Sequence, residues 1–133
     1  PIAVLGDGDF MMGNPALWTA VHYRVPLLIV ICNNRSFYND ELHQERVAKE
    51  RDRAPANKWI GQHMGDPDLD FATIARGQGA VGIGPVQKHA ELETALKQAI
   101  AAVDDGKVAV VDVRVAGGYD AGNSASVPRG QKD

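Results

Sequence analysis

Two apolar runs with polar endings decide the fold: Ile2-Ala3-Val4-Leu5-Gly6-Asp7-Gly8-Asp9, and Leu27-Leu28-Ile29-Val30-Ile31-Cys32-Asn33-Asn34. The first is a short β-branched run closed by glycine, and the second is apolar throughout, as strands buried on both faces of a parallel sheet are. Between them, Asn14 is placed to cap a helix with Pro15 in its first turn, where a missing N–H costs nothing. Leu17, Ala20, Val21 and Arg24 recur at helical spacing, and Pro26 ends the segment. Strand, helix and strand make a βαβ unit with a right-handed crossover.

Working outward, the pattern loses its apolar residues between Asn33 and Pro67. His43 to Arg53 is dense in charge, with a helix predicted over Glu41–Arg51 and a Glu45–Lys49 pair at i,i+4. A polar connection of this length inside an α/β domain points to a functional loop or lid. Regularity then returns. A helix is predicted over Asp68–Gln78 with Asp68 as its cap, a strand over Ala80–Ile83, a helix over His89–Val103 and an apolar strand over Val108–Val113. Ala116–Asp133 is a Gly/Ser/Asp-rich tail with only Val127 to bury. The order β-α-β-loop-α-β-α-β predicts a three-layer α/β fold, a parallel sheet with helices on both faces. It divides the chain into one domain over 1–115 and a polar tail over 116–133.

Composition narrows the function classes. The 133 residues suffice for one domain. The 44% hydrophobic and 23% charged content is that of a globular chain. The net charge of −3 argues against non-specific nucleic-acid binding, which needs a clustered basic surface. The longest apolar run, Leu27–Cys32, is far short of the ~20 residues of a membrane span. A single cysteine rules out an internal disulfide and favours a reducing, cytoplasmic setting. The chain opens on Pro1 directly before a strand, which predicts a piece cut from a longer protein.

In open parallel sheets ligands bind beyond the carboxyl ends of the strands, so the endings Gly6-Asp7-Gly8-Asp9 and Asn33-Asn34 are the candidate site. Glycines flanking Asp7 permit close backbone approach of a ligand. The Asp7 carboxylate and the Asn34 amide are hard oxygen donors, half of a site for Mg²⁺ carrying a diphosphate. Gly77-Gln78-Gly79-Ala80-Val81-Gly82 matches G-x-G-x-x-G only formally, because a helix precedes it and a strand follows.

Gly6-Asp7-Gly8, the 24 residues Asp9–Cys32 and then Asn33-Asn34 resemble the GDG-x(24–27)-NN signature of thiamine-diphosphate-dependent enzymes. Ala16-Leu17-Trp18-Thr19-Ala20, Pro26-Leu27 and Asp70-Phe71-Ala72-Thr73-Ile74-Ala75 resemble the acetolactate synthase and benzoylformate decarboxylase branch. The resemblance implies the C-terminal, diphosphate-binding domain of that fold, truncated at its N-terminus, as part of a lyase or transferase that decarboxylates or carboligates 2-oxo acids. It implies thiamine diphosphate as cofactor with Mg²⁺ held by Asp7, Asn34 and the carbonyl of Ser36. It implies Gly6, Gly8 and Asp9 beside the cofactor and Phe37 near its phosphates through its N–H; Met11 and Met12 follow in the region facing the cofactor, where they either pack on its rings or fill the core at a helix entry. Asp9 departs from the small residue usual there. The activating glutamate is expected from another domain, usually of a second subunit, so no catalytic residue is assigned to this chain, which is expected to be inactive alone. A homodimer or homotetramer follows, and any FAD requirement would reside in a further domain. Two other readings accompany this one: a separate subunit of a two-chain thiamine-diphosphate decarboxylase, and a non-catalytic assembly domain that retains the fold.

Overall fold

The computed structural model describes residues 1–117. Four parallel strands, β1 (Ile2–Gly6), β2 (Leu27–Asn33), β3 (Val81–Val86) and β4 (Val108–Arg114), form one sheet in the order β1-β2-β4-β3. The helices are α1 (Asp7–Gly13), α2 (Pro15–His22), α3 (Tyr38–Glu50), α4 (Phe71–Gly77) and α5 (His89–Asp104), with a 3₁₀ turn at Pro55–Asn57. Phe10, Leu17, Phe71 and Ala75 bring α1, α2 and α4 onto one face of the sheet, against Ile29, Ile31, Val108 and Val110. Ala95 and Ala99 bring α5 onto the other, against Leu28, Ala109 and Val111. The expected three-layer arrangement is therefore present, and the alternation of Val108 to Val111 between the two faces explains why that strand reads as unbroken apolar sequence.

Four of the differences from the local readings have a clear physical reason. Helix starts at Asp7 rather than after Asn14, because the turn that closes β1 is itself the first turn of α1. Asn14 is a helical junction between α1 and α2, and its side-chain amide donates back to Met11 O at 3.1 Å instead of capping forward. The cap of α4 is Asp70, whose carboxylate accepts from the Thr73 N–H at 2.8 Å and the Thr73 hydroxyl at 2.6 Å. Those two bonds hold the Asp70 carboxyl below its ordinary range. Asp68, the expected cap, lies two residues upstream and pairs with Arg114. Finally, α3 begins at Tyr38, three residues before the expected Glu41. The tail reading, including Val127, lies outside the described residues.

The helix layer on this face of the sheet is keyed by Phe10 and Phe71, whose rings meet edge to face at 5.5 Å. Phe71 is the bulkiest fully buried side chain. Phe71→Ala is expected to cost about 3–5 kcal/mol by the cavity it leaves, measured by denaturant unfolding. A loss under about 1 kcal/mol would contradict this packing.

Candidate functional site

Register places the site. Gly6 pairs with Cys32, so β1 and β2 end together and their following residues emerge side by side at the carboxyl edge of the sheet. Asp7 is 2% exposed, in the first turn of α1. One of its carboxylate oxygens accepts from the Gly8 N–H at 2.9 Å, the other from the Ser36 N–H at 3.1 Å. Asn34 reaches the same donor: its side-chain oxygen accepts from the Ser36 N–H at 2.9 Å, an Asx turn. That turn holds Arg35 in the left-handed region, φ 62°. The carboxylate of Asp7 and the amide oxygen of Asn34 thus converge on one N–H.

Gly6, Asp7, Gly8, Asp9, Asn34, Ser36 and Phe37, all seven expected residues, line one cavity of about 290 Å³, joined by Tyr38, Asn39 and Asp40 from the start of α3. Small-molecule pockets run from about 300 Å³ upward, so this one suits a head group better than a whole cofactor. Asp7, Asp9 and Asp40 bring three carboxylates to the wall, and among the described residues no lysine or arginine lines it. An anion could settle there only with a cation that reverses the local sign. The two converging oxygens are hard donors of the kind that fits Mg²⁺. Among the described residues no group of three or more His, Cys, Asp or Glu side chains could hold a metal by itself. A bound ion therefore depends on amide and carbonyl oxygens and on its own ligand.

Three expectations about individual residues are corrected. The Phe37 N–H donates to Gln62 O at 3.0 Å and is not free for a phosphate. Gly8 gives room first to the protein itself: a Cβ there would lie 2.2 Å from the Phe37 ring. Met11 packs against the core and Met12 is largely exposed, and neither lines the cavity. Asp9 is exposed at the rim. The polar stretch 33–67 is pinned in two places. Ser36 and His63 form an antiparallel bridge, and the Ser36 hydroxyl donates to Glu41. Farther along, Lys49 and Lys58 flank Glu45 and hold its carboxyl down at about 2.

Beneath the cavity lies a network not anticipated from the sequence. Asn33, 1% exposed, donates its side-chain amide to Asp112 Oδ1 at 2.9 Å and accepts from the Arg114 guanidinium at 3.2 Å. Arg114 continues to Asp68 at 3.2 Å. Asp112 is fully buried, and its Oδ2 has no hydrogen-bond partner among the described residues. Burial pushes its carboxyl above the ordinary range, against the opposing pull of the Asn33 amide and the Arg114 charge. The one available signal was a charge inside the buried run Val108–Val113, which is costly unless it is paired.

That carboxyl makes stability depend on pH with a definite sign. Between the ordinary value of 3.8 and the raised native value, the folded chain holds a proton that the unfolded chain has lost. Raising the pH through this window therefore favours unfolding. Asp112→Asn removes the contribution, so its melting temperature is expected to gain on that of the parent as pH climbs from about 4 toward neutrality. A constant difference across that range would contradict the reading.

A family model described as thiamine pyrophosphate enzyme, C-terminal TPP binding domain, matches residues 1–113. The chain belongs to this family. Among the family's curated members, the benzoylformate decarboxylase of Pseudomonas aeruginosa is 37% identical over 101 residues, covering 76% of this chain and 17% of the relative. The acetolactate synthase isozyme 3 large subunit of Escherichia coli is 32% identical over 116 residues, 87% of this chain and 19% of the relative. A solved structure, the thiamine diphosphate-dependent 4-hydroxybenzoylformate decarboxylase of Rhodococcus jostii RHA1, superposes with TM-score 0.62 at 25% identity over 90% of this chain and 20% of that one. This TPP-binding domain thus spans about a fifth of the length of the relatives it matches. No helix among its described residues is long and apolar enough to cross a membrane.

Proposed function

We propose that the cavity at the ends of β1 and β2 holds the diphosphate of thiamine diphosphate through a Mg²⁺ ion. The side chains of Asp7 and Asn34 and the carbonyl of Ser36 are its protein ligands, with Gly6, Gly8, Asp9 and Phe37 forming the walls around the cofactor. The observation that carries this reading is the convergence of the Asp7 and Asn34 oxygens on the single Ser36 N–H, inside a cavity lined by carboxylates and, among the described residues, by no basic side chain. A divalent ion held by these oxygens, which have lone pairs beyond those given to the Ser36 N–H, would give the anionic diphosphate its counter-charge.

In this proposal the domain is one wall of a larger active site. Thiamine diphosphate supplies, when bound, the electron sink for decarboxylation or carboligation of a 2-oxo acid. This chain's residues bind and orient the diphosphate end. The carboxylate that activates the cofactor comes from another domain, the enzyme assembles as a homodimer or homotetramer, and it works in the cytoplasm. Likeness to a benzoylformate decarboxylase and an acetolactate synthase supports the reaction class.

The test uses the complete enzyme that carries this chain, stripped with EDTA and supplied with pyruvate or benzoylformate. Carbon dioxide release is expected only when thiamine diphosphate and Mg²⁺ are both restored. Release that is indifferent to the metal would overturn the metal-bridged site. Silence toward 2-oxo acids, with cofactor bound, would overturn the reaction class.

A further inference from the structure

We infer that Asp112 is a positioning residue for the cofactor site, acting through Asn33 to hold the turn that presents Asn34. The inference rests on the proposed metal-bridged site. It begins from the unequal treatment of two neighbouring asparagines. Asn34 turns its amide toward the cavity. Asn33, the last residue of β2, turns its amide under the sheet end, where it is almost wholly buried. A buried carboxamide must place both its N–H₂ and its oxygen on partners. β4 supplies both, Asp112 as acceptor and Arg114 as donor. The register aligns the two strands: Ile31 lies beside Asp112 and Asn33 beside Arg114.

The geometry fixes Asn33 from two sides, immediately before a turn that has no regular strand pairing of its own. That turn passes through the left-handed Arg35, a conformation that persists only when its surroundings hold it there. On the downstream side Phe37 and Met64 bond across to Gln62 and Arg35. Upstream, the Asn33–Asp112 bond is the buried side-chain anchor. The path from Asp112 toward the cavity runs through Asn33, the residue before the cavity-lining Asn34, so its effect on the site is indirect. A buried carboxylate with one oxygen unpartnered is costly to keep for packing alone, since an apolar side chain of the same shape would fill the space. Such a replacement would lose the hydrogen bond to Asn33, along with the carboxyl's weaker interactions with the Arg114 charge and the Phe71 backbone.

The experiment compares three variants of the complete enzyme: Asp112→Asn, which keeps an acceptor for Asn33, Asp112→Val, which keeps the shape without it, and Asn33→Ala. Calorimetric titration with Mg²⁺ at saturating thiamine diphosphate is the first measurement. Asp112→Val is expected to weaken Mg²⁺ by about 10–100-fold, the range typical when a group that orients a metal ligand is lost. Asp112→Asn is expected to stay within about twofold of the parent. Asn33→Ala combined with Asp112→Val is expected to be no worse than the poorer single variant, because the two act as one unit.

Amide hydrogen exchange in the cofactor-free protein is the second measurement. Ser36 N–H, held by Asp7 and Asn34, is expected to lose protection in Asp112→Val while the strand amides of β2 keep theirs. Exchange is read without any cofactor, so the inference stands or falls on it even if the parent enzyme shows no Mg²⁺-dependent binding, an outcome that sinks the proposed function instead. A valine variant with unchanged Mg²⁺ affinity and unchanged Ser36 protection would overturn the positioning role. So would additive losses in the double variant, or a valine variant whose only change is a lower melting temperature.

Discussion

Asp7→Asn is expected to abolish metal-dependent binding of thiamine diphosphate while leaving the domain folded. Asparagine is nearly isosteric, and its oxygen can still accept one of the two N–H bonds, from Gly8 or Ser36, that the carboxylate accepts now. What it removes is a buried charge that lines the cavity, Asp7 being 2% exposed. Losing a group that merely orients a ligand weakens metals about 10–100-fold, so losing the anionic ligand is expected to exceed about 100-fold. Asn34→Ala is expected to approach the same result, since the second side-chain oxygen goes with it. Calorimetry with thiamine diphosphate and Mg²⁺ together, then each alone, measures both variants. Binding retained within about tenfold in Asp7→Asn would contradict the assignment of Asp7 as a metal ligand.

Gly82→Ala is expected to have the largest effect on the fold itself. A Cβ on Gly82 would sit 2.0 Å from the carbonyl oxygen of Ala72 and 3.1 Å from its Cα, backbone atoms of α4 that no rotamer change can move. The strand and the helix must separate, and α4 carries Phe71 and Ala75 into the core. Overpacking ordinarily costs about 1–3 kcal/mol. With backbone as the obstacle, the loss is expected at about 3 kcal/mol or more. Gly77→Ala is the matched control, because a Cβ there meets nothing within 4 Å. It is expected to be neutral or to stabilise by up to about 1 kcal/mol through the unfolded chain. Equal stabilities for the two variants in urea would show that α4 does not lie so closely on β3.

The parts of the fold that could be read from the sequence are those whose cause is local. Leu27–Cys32 is apolar on both faces because β2 is covered on both. Gly6-Asp7-Gly8 and Asn33-Asn34 stand out because a strand end that carries chemistry must break the apolar pattern. Their meeting in one cavity followed from parallel pairing of neighbouring strands. What escaped depends on partners distant in the chain. Asp112 meets Asn33 from 79 residues away, so its place under the site has no local trace beyond a charge in an apolar run. Gly8 lines the cavity, but the space a side chain would take there is filled by the Phe37 ring, 29 residues on. Asp68 and Asp70 are equally good caps in isolation. Position decides between them, because Arg114 draws Asp68 toward the sheet edge and leaves Asp70 at the helix.

The most direct measurement of the central claim is a crystal structure of the complete enzyme with thiamine diphosphate and Mn²⁺, a stand-in for Mg²⁺ that is visible by anomalous scattering. The account predicts a single anomalous peak between β1 and β2, about 2.0–2.3 Å from a carboxylate oxygen of Asp7, the amide oxygen of Asn34 and the carbonyl of Ser36, with diphosphate oxygens and water completing an octahedron. A diphosphate bound with no metal between it and Asp7, or a metal held away from Asp7 and Asn34, would contradict it.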